Sequence, residues 1–143
     1  MAAFCAVVGC KIDETGLPKP TDNTAIVGTW FLKEEIVGGI IQGFVSTPDT
    51  LKGFTTSDYY KFNANNQAYV STSGSLKPDT VNYSLSLTPT SQTLVVGGHT
   101  STGFISYTVN KLSKDSLILF NTVTATSQGV TITTNTTSFY AHQ

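Results

Sequence analysis

The segment 25-AIVGTWFLKEEIV-37 contains the only tryptophan of the chain. Its residues can be read as alternating between two faces with a period of two, which is the pattern of a half-buried β-strand. With this register, Trp30 and Glu34 share one face of the strand and Glu35 lies on the other. The sequence therefore predicts that Trp30 plugs one end of a small β-barrel. It predicts Glu34 either as an inward-facing acid or as a strand-end group turned to water.

The composition favours an all-β protein of one domain. The chain has 143 residues, only 12% of them charged, and it is rich in serine and threonine. A chain of this length usually forms a single domain with one core. Threonine fits a pleated surface, whereas the strong helix formers are few. All eight basic residues are scattered lysines, so the sequence lacks the basic stripe of a nucleic-acid-binding protein.

The first residues, MAAFCAVVGCK, resemble the start of a bacterial lipoprotein. The run 7-VVGC-10 is similar to a lipobox, which implies lipidation of Cys10. Residues 1–23 would then be a truncated signal remnant followed by a polar tether, and residues 24–143 the folded domain. This interpretation places the protein in the bacterial cell envelope, periplasmic or on the outer-membrane surface, with membrane contact through the lipid anchor only. The alternative is that the run is an apolar N-terminal strand or tail.

Beyond residue 57 the chain divides into short strands joined by turns. Hairpins are predicted with turns at residues 64–66, 89–91 and 113–116, and residues 130–141 form a last strand. The Gly-rich segment 38–57 is predicted to hold a short strand and a long loop, placed as a lid or as an edge strand. About eight or nine strands in hairpin order favour a meander, and closing it into a barrel removes the exposed edges.

Within the predicted domain the sequence offers little that indicates catalysis. The two histidines, His99 and His142, are far apart, and no set of three or four residues has the spacing of a zinc site. No G-x-S-x-G elbow is present, and His99 is predicted to be a solvated loop residue. We therefore expect no enzyme activity, no metal and no cofactor.

Several motifs together resemble the small lipocalin-like domains of bacterial lipoproteins. They are IVGTWFLKE, DYYKFNANNQAYV, VNYSLSLT with the returning QTLVV, YTVNKLSKDSLIL and VTITTNTTSFY, in that order from Ile26 to Tyr140. The resemblance implies an eight-stranded antiparallel up-and-down barrel. Gly28 and Trp30 match the G-x-W motif, whose tryptophan lies across the closed end against an arginine. Because this chain has no arginine, Tyr140 or His142 is expected to cover the ring instead.

The resemblance also implies a small apolar or amphipathic ligand in the barrel. The predicted ligand-binding residues are the aromatic and aliphatic side chains of the interior and the mouth: Trp30, Ile40, Ile41, Phe44, Tyr60, Phe62, Tyr69, Tyr83, Phe104 and Tyr107. The alternative is that these side chains fill the barrel. The protein would then be an interaction module that contacts another protein or a glycan through its outer faces or through segment 38–57.

Overall fold

The structure is a computed structural model that describes residues 24–97 and 103–143. A short 3-10 turn, Thr24–Ile26, precedes ten antiparallel strands in these residues. The strands are β1 (Gly28–Ile41), β2 (Phe44–Val45), β3 (Asp49–Leu51), β4 (Tyr59–Phe62), β5 (Gln67–Ser71), β6 (Asp79–Thr88), β7 (Ser91–Gly97), β8 (Phe104–Leu112), β9 (Ser116–Ser127) and β10 (Val130–His142).

Eight of these strands form a closed barrel. From β4 to β10 each strand pairs with the next along the chain, β4 also pairs with β1, and β10 closes the ring against β1. Closure is extensive, because β1 and β10 stay paired from Trp30 opposite His142 to Ile41 opposite Ile132. The predicted all-β, up-and-down, lipocalin-like barrel is confirmed, and closure leaves the eight strands without a free edge.

The two ends of the barrel differ. One end, which we call the floor, carries Trp30 and the turns that join β4 to β5, β6 to β7 and β8 to β9. The opposite end, the mouth, carries the long connection between β1 and β4. Because β1 is 14 residues long and β4 only 4, the far half of β1 pairs with the short strands β2 and β3 instead.

Local chemistry explains the turns. Gln128 and Gly129 both have positive φ angles, 50° and 79°, and join β9 to β10 as a two-residue loop. That pair of angles matches the right-handed twist of a hairpin. In the β4–β5 turn the residue with positive φ is Asn66, a type that tolerates this conformation. The predicted hairpins are therefore present, with boundaries shifted by one or two residues.

The core occupies the floor half of the barrel. Its largest fully buried side chains are aromatic and aliphatic: Trp30, Tyr83, Phe62, Ile26, Leu85 of β6, Leu94 and Val96 of β7, and Leu117 and Leu119 of β9. Ile26 belongs to the 3-10 turn rather than to β1, so this turn folds under the barrel and helps to fill its lower end. In the described part of the chain, no helix has the length and apolarity that crossing a membrane requires.

Candidate functional site

Trp30 closes the floor, as the sequence predicted. The side chain is 1% exposed, and its Nε1 donates a hydrogen bond of 2.7 Å to the carbonyl oxygen of Ile26. The imidazole of His142 lies against the indole with ring centroids 4.7 Å apart and planes tilted by 51°. Of the two covers expected for the ring, the one in direct ring contact is therefore His142, the cross-strand partner of Trp30.

Gly28 allows this closure because it has no side chain. Its φ of 137° is one that residues with a Cβ rarely adopt, and a Cβ built there would overlap the imidazole of His142. The glycine and tryptophan of the G-x-W motif thus have linked roles. Trp30 fills the floor, and Gly28 leaves room for the ring that covers it.

Above the core lies an open cavity of about 630 Å³ at the mouth. This volume falls within the range of small-molecule pockets, roughly 300–1,000 Å³. The lining combines apolar walls with hydroxyl, amide and charged groups. It consists of Leu32, Glu35, Lys52, Gly53, Phe54, Asp58, Tyr59, Tyr60, Val70, Ser71, Thr72, Ser73, Tyr107, Asn121, Thr136, Ser138 and Tyr140.

The carboxylate in the upper interior is Glu35, not Glu34. A β-bulge in β1 places Leu32 opposite Tyr140 but Glu34 opposite Phe139, so that Lys33 is the extra residue. One extra residue moves every later side chain of the strand to the other face. Of the two alternatives given for Glu34, the inward-facing acid is therefore wrong. Glu34 lies outside and pairs with Lys52 at 3.2 Å.

Glu35 lies beside a set of hydroxyl groups. Its Oε1 accepts a hydrogen bond of 2.8 Å from Oγ of Ser138, which is buried in β10. The hydroxyls of Tyr60 and Tyr107 are hydrogen-bonded to each other at 3.1 Å, and the ring of Tyr140 lies 5.5 Å from that of Tyr60. This arrangement places a carboxylate, three phenols and an alcohol around one cavity.

The three phenols are held in the neutral form. Burial is the largest cause that raises the pKa of Tyr60, Tyr107 and Tyr140, because the charged phenolate loses its hydration. The negative charge of Glu35 raises all three pKa values further. At neutral pH these groups are uncharged hydroxyls that can donate or accept hydrogen bonds, and one proton of the Tyr60–Tyr107 pair is used between the two.

A buried carboxylate fixes one side of the mouth. Asp58 is 6% exposed, and its two oxygens accept four hydrogen bonds of 2.6–3.1 Å from the backbone N–H and hydroxyl groups of Thr55 and Ser73. These bonds, with that of Ser73 the first cause, lower the pKa of Asp58 to about 2. These four hydrogen bonds join the connection that enters β4 to the loop that follows β5, and so shape this part of the rim.

The residues predicted to bind ligand fall into distinct places. Tyr60 and Tyr107 line the cavity, whereas Trp30, Phe62 and Tyr83 pack in the core below it. Tyr69 lies on the outer face, because its cross-strand partners are Lys61 and Thr80 and its neighbour Val70 points inward. The remaining predicted residues lie towards the mouth with exposed side chains: Ile40, Ile41, Phe44 and Phe104.

Ile40 also lines a second, smaller hollow of about 230 Å³. It lies between the far half of β1 and the segment from Val45 to Pro48, with Asn135 and Thr137 of β10 beside it. Segment 38–57 thus folds back onto β1 through β2 and β3 rather than across the mouth as a whole. From this segment only residues 52–54 reach the main cavity.

Sequence reasoning missed Glu35, Ser138 and Tyr140 as cavity residues. The signal for Ser138 and Tyr140 was present in the alternation of β10, which brings both to the face of Trp30's partner His142. No local signal marked Glu35, since the bulge that turns it inward depends on pairing with the distant strand β10.

Two predicted features lie outside the described residues. These are Cys10, with the rest of the tether, and His99. Within residues 24–97 and 103–143, no group of three or more His, Cys, Asp or Glu side chains could hold a metal ion.

A closed meander barrel with a packed floor and an open mouth cavity defines a small-molecule-binding type of β-barrel. The chain belongs to the lipocalin-like domain family, whose sequence model matches residues 26–139, most of the chain. The predicted family membership is confirmed. The family is in general a binding fold rather than a catalytic one. No curated protein and no solved structure matches the chain significantly.

Proposed function

We propose that this protein binds a small amphipathic molecule in the mouth cavity and carries out no reaction on it. The observation that carries the proposal is the cavity of about 630 Å³ above a fully packed floor. Its walls offer apolar surface from Leu32, Phe54 and Val70, next to the hydroxyls of the tyrosine pair. Apolar surface beside placed polar groups suits a ligand that has both an apolar and a polar part, because the polar groups fix its orientation.

The binding test compares the same change, valine to phenylalanine, at one position inside the barrel and at one position on its outer face. Val70→Phe adds volume inside the cavity, because Val70 lines it. Val95→Phe makes the same change on the outer face, where Val95 pairs with Ser84 and Ser106. Calorimetry with decyl maltoside as the probe should show binding to the wild type and to Val95→Phe, and weakened binding to Val70→Phe. Equal binding to all three proteins would contradict the proposal.

We extend the proposal to a position in the bacterial cell envelope, with a lipid anchor on Cys10. The support is the lipobox-like run 7-VVGC-10 and the polar, Pro-containing stretch that follows it. Labelling cells with an alkyne fatty acid tests this assignment. Wild type and Cys5→Ser should be labelled and recovered with membranes, whereas Cys10→Ser should not. Equal labelling of Cys10→Ser and wild type would rule out the anchor.

A second candidate function is favoured by exposed apolar side chains next to the mouth. Phe44 and Val45 of β2 are each 79% exposed, and Ile41 opposite them is 47% exposed. Surface hydrophobics grouped in this way are typical of interaction sites. A photo-cross-linking amino acid at residue 44 should capture one specific protein or glycan in cells if this function is correct. The same amino acid at residue 87, near the floor end of β6, should not capture that partner.

A further inference from the structure

The charged groups that line the cavity differ in how well they are compensated. Three charged residues contribute to the lining: Glu35, Lys52 and Asp58. Lys52 forms an ion pair of 3.2 Å with Glu34 on the outside of β1. Both oxygens of Asp58 are saturated by the four hydrogen bonds from Thr55 and Ser73. Neither residue therefore needs a charged ligand.

Glu35 differs from both. Within the described ranges 24–97 and 103–143 it accepts one hydrogen bond, from Ser138, and forms no ion pair. A carboxylate has about four lone-pair sites, so most of its capacity to accept hydrogen bonds is open to the cavity. Its charge reaches the inner wall, since it raises the pKa of Tyr60, Tyr107 and Tyr140.

The groups around Glu35 add to this negative character. Tyr60, Tyr107 and Tyr140 line the cavity with it, and their neutral hydroxyl oxygens carry partial negative charge. Among the described residues that line the cavity, the only basic side chain is that of Lys52, which already has a carboxylate partner and is 69% exposed. Among the described residues of the cavity wall, Glu35 is thus the carboxylate that has neither a cationic partner nor a full set of hydrogen-bond donors.

We infer that the cavity is selective for amphipathic cations, molecules in which a protonated or quaternary amine is attached to a short apolar chain. The amine lies at Glu35 above the tyrosine hydroxyls, and the apolar chain runs along Leu32, Val70 and Phe54. The inference rests on the proposed function, because it names the class of ligand that the same cavity takes. It excludes carboxylates and sulfates of equal length, which would place a second negative charge beside Glu35.

The experiment compares three probes of the same chain length with the wild-type protein: decyltrimethylammonium, decanoate and decyl maltoside. Calorimetry at low salt should show that the cation binds about tenfold or more tightly than the anion. The carboxylate of decanoate would be repelled by the carboxylate of Glu35, whereas the ammonium group would be attracted to it. Added salt should weaken the binding of decyltrimethylammonium more than the binding of decyl maltoside, because salt screens the attraction between charges. This comparison requires no variant and so does not depend on how a variant folds.

Two variants locate the charge that makes the selection. Glu35→Gln keeps the shape of the side chain and an oxygen that can accept from Ser138, so the barrel should stay folded. It should abolish the preference for decyltrimethylammonium over decanoate, measured as the ratio of the two affinities. Asp115→Asn removes one charge from the exposed turn at the floor, where Asp115 pairs with Lys114, and should behave as wild type.

The outcomes separate this inference from the proposed function. If decanoate binds the wild type as tightly as the cation, or if Glu35→Gln keeps the full preference, the inference is wrong and the proposed binding function stands. If none of the three probes binds the wild type, both are wrong. If Asp115→Asn loses the preference as Glu35→Gln does, overall charge and not the cavity makes the selection, and the inference is again wrong.

Discussion

The imidazole of His142 covers the indole of Trp30, with 4.7 Å between the ring centroids. The two residues face each other across the β1–β10 pair that closes the barrel. The first strand and the last strand are thus joined by an aromatic contact as well as by backbone hydrogen bonds. Because Trp30 is the only tryptophan of the chain, its fluorescence reports directly on this closure.

Replacing His142 by alanine should uncover the indole. Aromatic pairs contribute about 0.5–1.5 kcal/mol beyond the burial of their surface. We expect His142→Ala to lower the free energy of unfolding by about 1 kcal/mol and to shift Trp30 emission to longer wavelength. His142→Phe keeps a ring at this position, so its free energy of unfolding and its Trp30 emission should stay close to those of the wild type. Denaturant unfolding followed by fluorescence tests this, and an unchanged His142→Ala protein would disprove the role of the ring.

Gly28→Ala should destabilise the protein for two separable reasons. The residue has a φ of 137°, and a Cβ there overlaps His142. Gly43 also has a positive φ, 87°, but has open space around it. We expect Gly43→Ala to lower the free energy of unfolding by about 1 kcal/mol, from backbone strain alone, and Gly28→Ala by about 3 kcal/mol.

The overlap can be removed by a second change. In the His142→Ala background, the added effect of Gly28→Ala should fall towards that of Gly43→Ala, because the clashing ring is gone. A fully additive double variant would show that the imidazole is not the group that excludes a side chain from position 28.

Asp58 should make the rim acid-sensitive. Its pKa is about 2 in the folded protein, below the ordinary value of 3.8, so the folded state holds the charged form more strongly than the unfolded state does. The stabilisation is complete above pH 3.8 and is lost as the pH falls towards 2. The free energy of unfolding of the wild type should therefore decrease as the pH falls through this interval. The decrease should be less steep in Asp58→Asn, which lacks the carboxylate.

At neutral pH, Asp58→Asn should lower the free energy of unfolding by about 2 kcal/mol, since a buried amide cannot accept all four hydrogen bonds. Asp49→Asn, in the exposed strand β3, is the control and should have little effect. If the Tm of Asp58→Asn equals that of Asp49→Asn, the four hydrogen bonds to Asp58 do not stabilise the fold.

The buried phenols should make the protein sensitive to alkali. The pKa values of Tyr60, Tyr107 and Tyr140 are raised above the ordinary 10.0, so the unfolded state loses these protons at lower pH than the folded state. Their contribution to stability is complete below pH 10 and is lost as the pH rises beyond it. Denaturation midpoints measured across this range should fall, and fall less in Tyr60→Phe and Tyr107→Phe. A flat profile in the wild type would contradict the burial of these hydroxyls.

The sequence predicted those parts of the fold that depend on neighbours along the chain. Alternation in β6 and the turn at Pro89 mark one hairpin, and the asparagines before Gln67 mark another. The barrel followed from the order of these hairpins, and the floor followed from the G-x-W motif. Each of these signals involves residues that are a few positions apart.

The interior of the mouth was predicted less well because it depends on distant pairing. The bulge at Lys33 exists because β1 meets β10 with one residue in excess, and it reverses the facing of Glu34 and Glu35. Simple alternation cannot reveal a bulge of this kind. Tyr60 and Tyr107, which were predicted from the sequence among the aromatic side chains of the barrel, lie in regular stretches of β4 and β8 and line the cavity.

A crystal structure of the protein soaked with decyltrimethylammonium would show directly whether the mouth cavity binds an amphipathic cation. Binding in the mouth cavity predicts one bound molecule whose apolar chain lies along Leu32 and Val70 and whose ammonium group lies beside Glu35. An empty cavity at saturating probe, or a probe bound only on the outer face of the barrel, would contradict it.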